Sequence, residues 1–451
     1  MDFKKWICCF VALGAFVLWG GLTPIWAGEA ELINLLKKKN IITQEEADEL
    51  QKELRTSAQK EKSEIKKEVK AEVKEDIKKD ASKGEFLPKA LKGFKFGAQI
   101  FTEWNTVSRF DGYAPTSTTA PGKNTNQFAL NRGQFTLAKD INDWLGMNIT
   151  ADLFYSADIS STLATNDATS GAELRLKMAY ATMKYLDTTT MVGMVPTPSD
   201  GYDNSIWAYR VQGKNLLDDL GILSTYDLGI ANQGVFGGYM DDDYLTFASK
   251  PYSGKWGGYT VGLYNGAGFT TTTGEGNNNK LIAGLLYVRP LPTIPVLKGL
   301  QLAYFGAYGS SNKLGTLPGQ TTIYPDFQVN IGQVSLLHRY FAVMGQYYWG
   351  KGTATGTEDK KRSGYLASAS VRVPGIEKLQ AFGKFYNYDA DTDINNNDYN
   401  IYVAGLAYDV TPAFMPFIAW ERRDNQRSVA AGTTSANIDY NKYQVGMQLK
   451  F

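Results

Sequence analysis

The sequence predicts an all-β protein, a sixteen-stranded antiparallel transmembrane β-barrel with eighteen strands as the alternative, preceded by an N-terminal α-helical, coiled-coil segment. Three observations carry that prediction. First, Tyr443, Val445, Met447, Leu449 and Phe451 alternate with Lys442, Gln444, Gln448 and Lys450. Side chains repeat every two residues along a strand, so one face is apolar and the other polar. Second, aromatics make up 13% of the chain and glycine 45 residues, yet no long apolar run follows the N-terminus. A chain that crosses lipid without helices must pair every backbone group within itself, which means a closed barrel. Third, the alternation recurs through residues 93–451, with short connections on one side and long ones on the other, as in outer-membrane barrels. A soluble sandwich would show the same final strand, so repetition decides between them.

Lys4 and Lys5 precede an apolar run over residues 6–19, and Ala27 stands at a cleavage position before Gly28, so residues 1–27 read as a secretory signal peptide. The run is shorter than the roughly 20 residues of a spanning helix. Cys8 and Cys9 both fall in this segment, so the mature chain would hold no disulfide and no thiolate metal site. Residues 28–83 are rich in Lys and Glu, with Leu50, Leu54, Ala58, Ile65, Val69, Val73 and Ile77 on a narrow stripe. Its period is nearer eleven than seven, which favours a straight or weakly right-handed bundle in the periplasm. A solvated helix held by Glu and Lys pairs is the alternative. Thr43 with Glu45 and Glu46 marks a helix start there, and residues 84–92 form a linker to the barrel over 93–451.

Rising strands are expected to begin near Gly93, Leu145, Thr190, Gly257, Gly299, Phe341, Leu379 and Met415. Descending ones begin near Phe128, Ala172, Asp227, Lys280, Asp326, Ser363, Tyr399 and Asn437. Asp241, Asp242 and Asp243 are where one run could break into two, giving eighteen. The connection over 196–226 is long but carries Trp207, Tyr209, Leu216, Leu217, Ile222 and Leu223. Such side chains need a surface to pack against, and by order this is the third long loop of the chain.

Asn131-Arg-Gly-Gln-Phe-Thr-Leu-Ala-Lys139, Trp144 to Asp152, Tyr264-Asn-Gly-Ala-Gly268 and the terminal strand together resemble Gram-negative outer-membrane porins, more narrowly the phosphate-selective porins of O and P type and their uncharacterised relatives. The resemblance spans residues 93–451. It implies a homotrimer in outer-membrane lipid, a third loop folded into the lumen as the constriction, and a C-terminal Phe451 read by the barrel-assembly machinery. It does not bring phosphate selectivity, because that family's ladder of basic residues does not map onto this chain residue by residue.

Strand parity assigns a pore-lining face, since charges point away from lipid. On that face lie Lys95, Glu103, Arg132, Asp152, Glu173, Arg175, Lys177, Arg372, Lys384, Glu421, Arg423 and Lys442. Arg132, Arg175 and Lys177 are expected to form a basic wall opposite Asp200, Asp203, Asp218 and Asp219 of the third loop, setting a transverse field. Arg210 and Lys214 of the same loop could instead neutralise those acids locally.

The only histidine, His338, sits at an expected turn, and no nucleophile partner, metal spacing or phosphate loop accompanies it. Enzymatic function is therefore not expected, and neither is a cofactor. Charges nearly cancel, which argues against nucleic acid as a partner and for weak ion selectivity. The expectation is passive diffusion of small hydrophilic solutes. The rivals are a sheath around an electron-transfer partner and a tether between outer membrane and cell wall.

Overall fold

Alternating side chains with every backbone group paired to a neighbour leave one solution for sixteen short strands, a sheet whose first and last members meet. A computed structural model describes residues 93–109, 125–155, 172–269, 276–317, 320–425 and 439–451, with Lys39, Thr43 and Glu46. The signal peptide, the linker and the rest of the helical segment lie outside the described residues. By its contacts the chain divides into units 1–94 and 95–451. In the first, Thr43 Oγ1 accepts from Glu46 N at 3.3 Å while Glu46 Oε2 accepts from Thr43 N at 2.8 Å. This is a reciprocal capping box, and the backbone hydrogen bond from Thr43 holds the Glu46 carboxyl below its ordinary range.

In chain order the strands are β1 (Phe94–Arg109), β2 (Thr125–Asp140), β3 (Leu145–Tyr155), β4 (Ala172–Tyr185), β5 (Thr188–Pro196) and β6 (Tyr226–Phe236). There follow β7 (Gly257–Tyr264), β8 (Leu281–Val288), β9 (Leu300–Ser310), β10 (Gly315–Leu317), β11 (Gln320–Ile323) and β12 (Asp326–His338). The series ends with β13 (Phe341–Lys351), β14 (Lys361–Val373), β15 (Ile376–Asp389), β16 (Asp398–Tyr408), β17 (Phe414–Asn425) and β18 (Tyr440–Lys450). All but β10 and β11 pair antiparallel with their neighbours in one closed barrel, sixteen strands as expected; β10 and β11 make a separate hairpin in a long loop. Asp241 lies beyond β6, where its side chain caps a short helix, so it breaks no strand.

The seam runs between β1 and β18, from Gln99 opposite Lys450 to Arg109 opposite Tyr440. Phe451 completes it, donating to Ala98 O at 3.1 Å and accepting from Ala98 N at 2.9 Å. Outward positions are apolar and open, among them Val261, Leu263, Ile282, Leu286, Leu302 and Val445. They form the lipid face such a barrel needs.

Two features depart from the expected plan. The ends of β6 and β8 are joined to their successors by residues 237–256 and 289–299, on the side where short turns such as 186–187 and 339–340 otherwise stand. The inner wall is also not charged throughout. Leu281, Ala283, Leu285 and Tyr287 of β8, Phe305 and Ala307 of β9, and Phe327, Val329 and Ile331 of β12 are all buried. These side chains join one hydrophobic cluster with Tyr202, Ile206, Trp207, Tyr209, Leu216, Leu217 and Ile222 of the β5–β6 connection. The main apolar core of the barrel unit therefore lies inside the barrel, against inward side chains of β1, β5–β9 and β12–β17, with none from β2–β4 or β18 among its described members.

Candidate functional site

Residues 197–225 leave β5 and return to β6 through a closed neck. Thr197 N donates to Thr225 O at 2.9 Å, and Thr197 Oγ1 donates to Ser224 O at 2.9 Å. The segment contains α1 (Pro198–Asn204), which starts on a proline that has no N–H to leave unpaired, and α2 (Leu216–Asp219). Its anchors are inward-facing side chains spread round the wall. Tyr202 donates to Gln301 of β9 at 3.2 Å, and Gln346 of β13 donates to Asp203 at 2.8 Å. Tyr209 donates to Gln380 of β15 at 2.6 Å and stacks on Phe382 with ring centres 4.2 Å apart. A Cβ at Gly405 would come within 2.3 Å of the Phe382 ring, so a glycine is needed where that ring is seated. Gln212 donates to Glu421 of β17 at 2.8 Å, and Gln444 of β18 donates to Gln212 O at 3.0 Å. Lys384 Nζ reaches Lys214 O at 3.2 Å beneath the loop. Gln301, Gln346 and Gln380 carry no charge and so escaped the sequence argument, although each stands at an inward position of its strand; Gln444 was already on the polar face of the last strand.

Beyond the loop lies a cavity of about 640 Å³, lined from the wall by Arg132, Asp152, Arg175, Lys177 and Lys442 and from the loop by Arg210, Lys214, Asp218 and Asp219. Register places these groups. Asp152 of β3 faces Gln134 of β2 and Arg175 of β4, accepting from Gln134 Nε2 at 3.3 Å and pairing with Arg175 at 2.9 Å. In β4 the pairing slips by one, so that Thr150 opposes Met178 while Ala151 opposes Leu176. Lys177 is the extra residue, a bulge that aims it inward beside the site. Parity alone puts Met178 on the lipid face; the bulge turns it to the face of buried Thr150. Lys177 Nζ lies 5.3 Å from the Tyr226 ring centre and 5.5 Å from that of Phe269, which Arg175 also covers at 4.9 Å. Arg132 donates to Gln99 at 3.2 Å and lies over Phe101.

The loop acids are occupied elsewhere. Asp218 pairs with Arg210 and with Lys214, and Asp219 accepts from Tyr386. Asp200 accepts from Asn215 at 3.1 Å, and its burial raises the carboxyl above the ordinary range. Asp203 points away from the cavity, where burial first and the charge of Asp200 second push it up to about 8, against the Gln346 hydrogen bond. Local neutralisation is thus what the geometry shows for Asp218 alone, while Asp200, Asp203 and Asp219 hydrogen-bond to neutral side chains.

The remaining wall residues are dispersed. Glu103 pairs with Lys442 at 3.1 Å, and Glu421 also accepts from Tyr440 at 2.7 Å. Lys95 pairs with Asp140, and Arg372 with Asp409, both away from the cavity lining. Arg423 covers the Tyr399 ring at 3.8 Å. Glu173 is placed by its backbone alone, opposite Phe154. His338 ends β12, its ring stacked on Phe341 at 4.8 Å, a turn-stabilising position. Among the described residues no group of three or more His, Cys, Asp or Glu is placed to hold a metal.

Solved structures share the barrel fold, two of them as follows. The anion-selective porin from Comamonas acidovorans aligns over 79% of this chain and 99% of its own, at 13% identity and a TM-score of 0.51. Pseudomonas putida OprB, in its high-pH structure, aligns over 80% and 94%, at 11% identity and a TM-score of 0.51. No protein-family model and no curated protein matches the chain in sequence. At such identities the likeness establishes the fold, which is that of the Gram-negative outer-membrane porins.

Proposed function

We propose that this chain is an outer-membrane porin through which small hydrophilic solutes diffuse passively, with residues 197–225 as its constriction. The observation that carries the reading is the cavity between that loop and the charged wall of β2–β4, β17 and β18, inside a closed barrel with an apolar exterior. Six cations line it, Arg132, Arg175, Lys177, Arg210, Lys214 and Lys442, against four carboxylates, Asp152, Asp218, Asp219 and Glu421. The basic side of the field is therefore the stronger, and a weak preference for anions follows. No step of this function calls for catalysis or a cofactor.

Secretion by the signal at 1–27, a periplasmic helical segment over 28–83, trimerisation and recognition of Phe451 by the assembly machinery belong to the same reading. The narrower likeness to O and P type porins rests on the sequence motifs. A sheath around another protein would need an open lumen, and the anchors of the loop to β9, β13, β15 and β18 argue against it. The test is single-channel conductance of the refolded protein in a planar bilayer, with the reversal potential under a salt gradient. Ohmic steps with a modest anion preference support the proposal. A folded barrel that never conducts overturns it.

A further inference from the structure

The connection over residues 237–256 starts at the end of β6 opposite to the one where the constriction loop ends. Eleven residues of β6 separate the two starting points, roughly 35 Å along a strand at about 3.3 Å per residue. Yet the two segments touch. Tyr252 lies edge-on to Tyr202 of α1 with ring centres 5.5 Å apart, and Tyr202 packs at 5.5 Å on Tyr287 of β8. A Cβ at Gly201 would stand 2.3 Å from the Tyr252 hydroxyl, so any larger residue there must push the end of the Tyr252 side chain aside.

The connection is built to reach inward. Gly237 and Gly238 both have positive φ, 72° and 75°, a pair of left-handed residues that turns the chain directly after β6. Met240 N donates to Ser253 O and Lys255 N to Gly238 O, each at 2.8 Å, closing a neck. Within it stands α3 (Asp242–Leu245), its first turn capped by Asp241. Arg289, 2% exposed, ties the base: it donates to the Tyr244 hydroxyl at 2.8 Å, to Tyr252 O at 2.9 Å and to Lys298 O at 3.1 Å. Lys298 also pairs with Asp241 at 3.1 Å, so two neighbouring turn-side connections are joined to each other.

We infer that residues 239–256 are an internal strut that enters from the mouth opposite the constriction loop, bears on α1 through the Tyr252–Tyr202 joint, and holds that loop in place. Loop and strut together fill the lumen over the apolar wall that runs from β5 through β16 and leave the solute path to the charged side, along β2–β4, β17 and β18. The path half of the inference rests on the diffusion reading; the holding half does not.

The experiment uses the full chain with Cys8 and Cys9 replaced by serine and a single reporter thiol, Ser199→Cys, at a position on α1 that is 6% exposed. Its labelling by a charged methanethiosulfonate reagent is followed in the folded barrel. Tyr252→Ala removes the joint from the strut side and Gly201→Ala crowds it from the loop side. Each is expected to raise the labelling rate at least tenfold, and to raise single-channel conductance. Two variants acting from opposite sides keep the test alive if one fails to fold. Labelling within twofold of the parent in the folded variants overturns the strut. A parent barrel that does not conduct overturns the diffusion reading instead, and the labelling result still decides the strut.

Discussion

The carboxylate of Asp203 accepts a 2.8 Å hydrogen bond from the Gln346 amide at a point where both side chains are buried, and Gln346 in turn donates to Gln333 at 2.7 Å. The charged group nearest in effect is another acid, Asp200 on the same helix. A loop acid is thus held by neutral partners alone.

The first prediction concerns pH. In the docked loop Asp203 titrates at about 8, raised from 3.8. Between those values the docked state holds a proton that the undocked state has lost, so docking weakens as pH rises, and the loss levels off above pH 8. Channel fluctuations should therefore grow from pH 5.5 to pH 8.5. Asp203→Asn, which keeps the hydrogen bond without the ionisation, should flatten the profile. An equally steep profile in that variant removes Asp203 from the explanation.

The rim supplies a second prediction. Among the described residues Lys177 has no carboxylate partner, whereas Arg175 is paired with Asp152. One charge at about 5 Å in water is worth roughly 0.8 kcal/mol, about fourfold in an equilibrium. Lys177→Ala should lower the anion-to-cation permeability ratio by about three- to fourfold at low salt, with less effect at high salt. Lys95→Ala, whose parent side chain is 73% exposed and paired with Asp140, should leave the ratio unchanged. Reversal potentials at two salt concentrations check both.

How much of this was legible beforehand differs by element. Strand starts follow from alternation to within a few residues, and in β18 the alternation is plain because its two faces meet unlike solvents, although the strand begins at Tyr440 and not near Asn437. The register slip that leaves Lys177 unpaired and sets Met178 opposite Thr150 was not legible, since a one-residue bulge leaves no mark on a periodic pattern. The filled half of the lumen did leave a mark. Leu281-Ile-Ala-Gly-Leu-Leu-Tyr-Val288 is apolar on both faces, which a strand facing water on one side would not be. Arg289 and the strut stayed hidden, because a buried arginine that binds carbonyls and a hydroxyl looks in sequence like any turn residue.

A third prediction separates loop from wall. Trp207 is 4% exposed, edge-on to Tyr209 at 5.2 Å and to Phe382 at 5.9 Å. Truncating a buried tryptophan costs about 3–5 kcal/mol. That loss falls on the loop, because no ladder bond of the barrel depends on the indole. Trp207→Ala should keep the folded band on an unheated gel while raising conductance and its noise. Loss of the folded band would instead make the loop part of what holds the barrel closed.

The last prediction turns on the two roles open to Phe451. Its backbone exchanges both hydrogen bonds with Ala98 at the β1–β18 seam, while its ring is 71% exposed. Phe451→Ala keeps those bonds and removes only an exposed side chain, a change that shifts stability by no more than about 0.5 kcal/mol. Deleting Phe451 removes two backbone bonds as well, each worth about 1 kcal/mol. If the ring is read during assembly, both variants should lose the same fraction of folded protein in outer-membrane fractions, while Phe451→Ala refolded in detergent melts like the parent. If the residue serves only the seam, Phe451→Ala should assemble normally and the deletion alone should fall short. The pair of variants, measured in cells and in detergent, therefore assigns the final residue either to recognition or to closure.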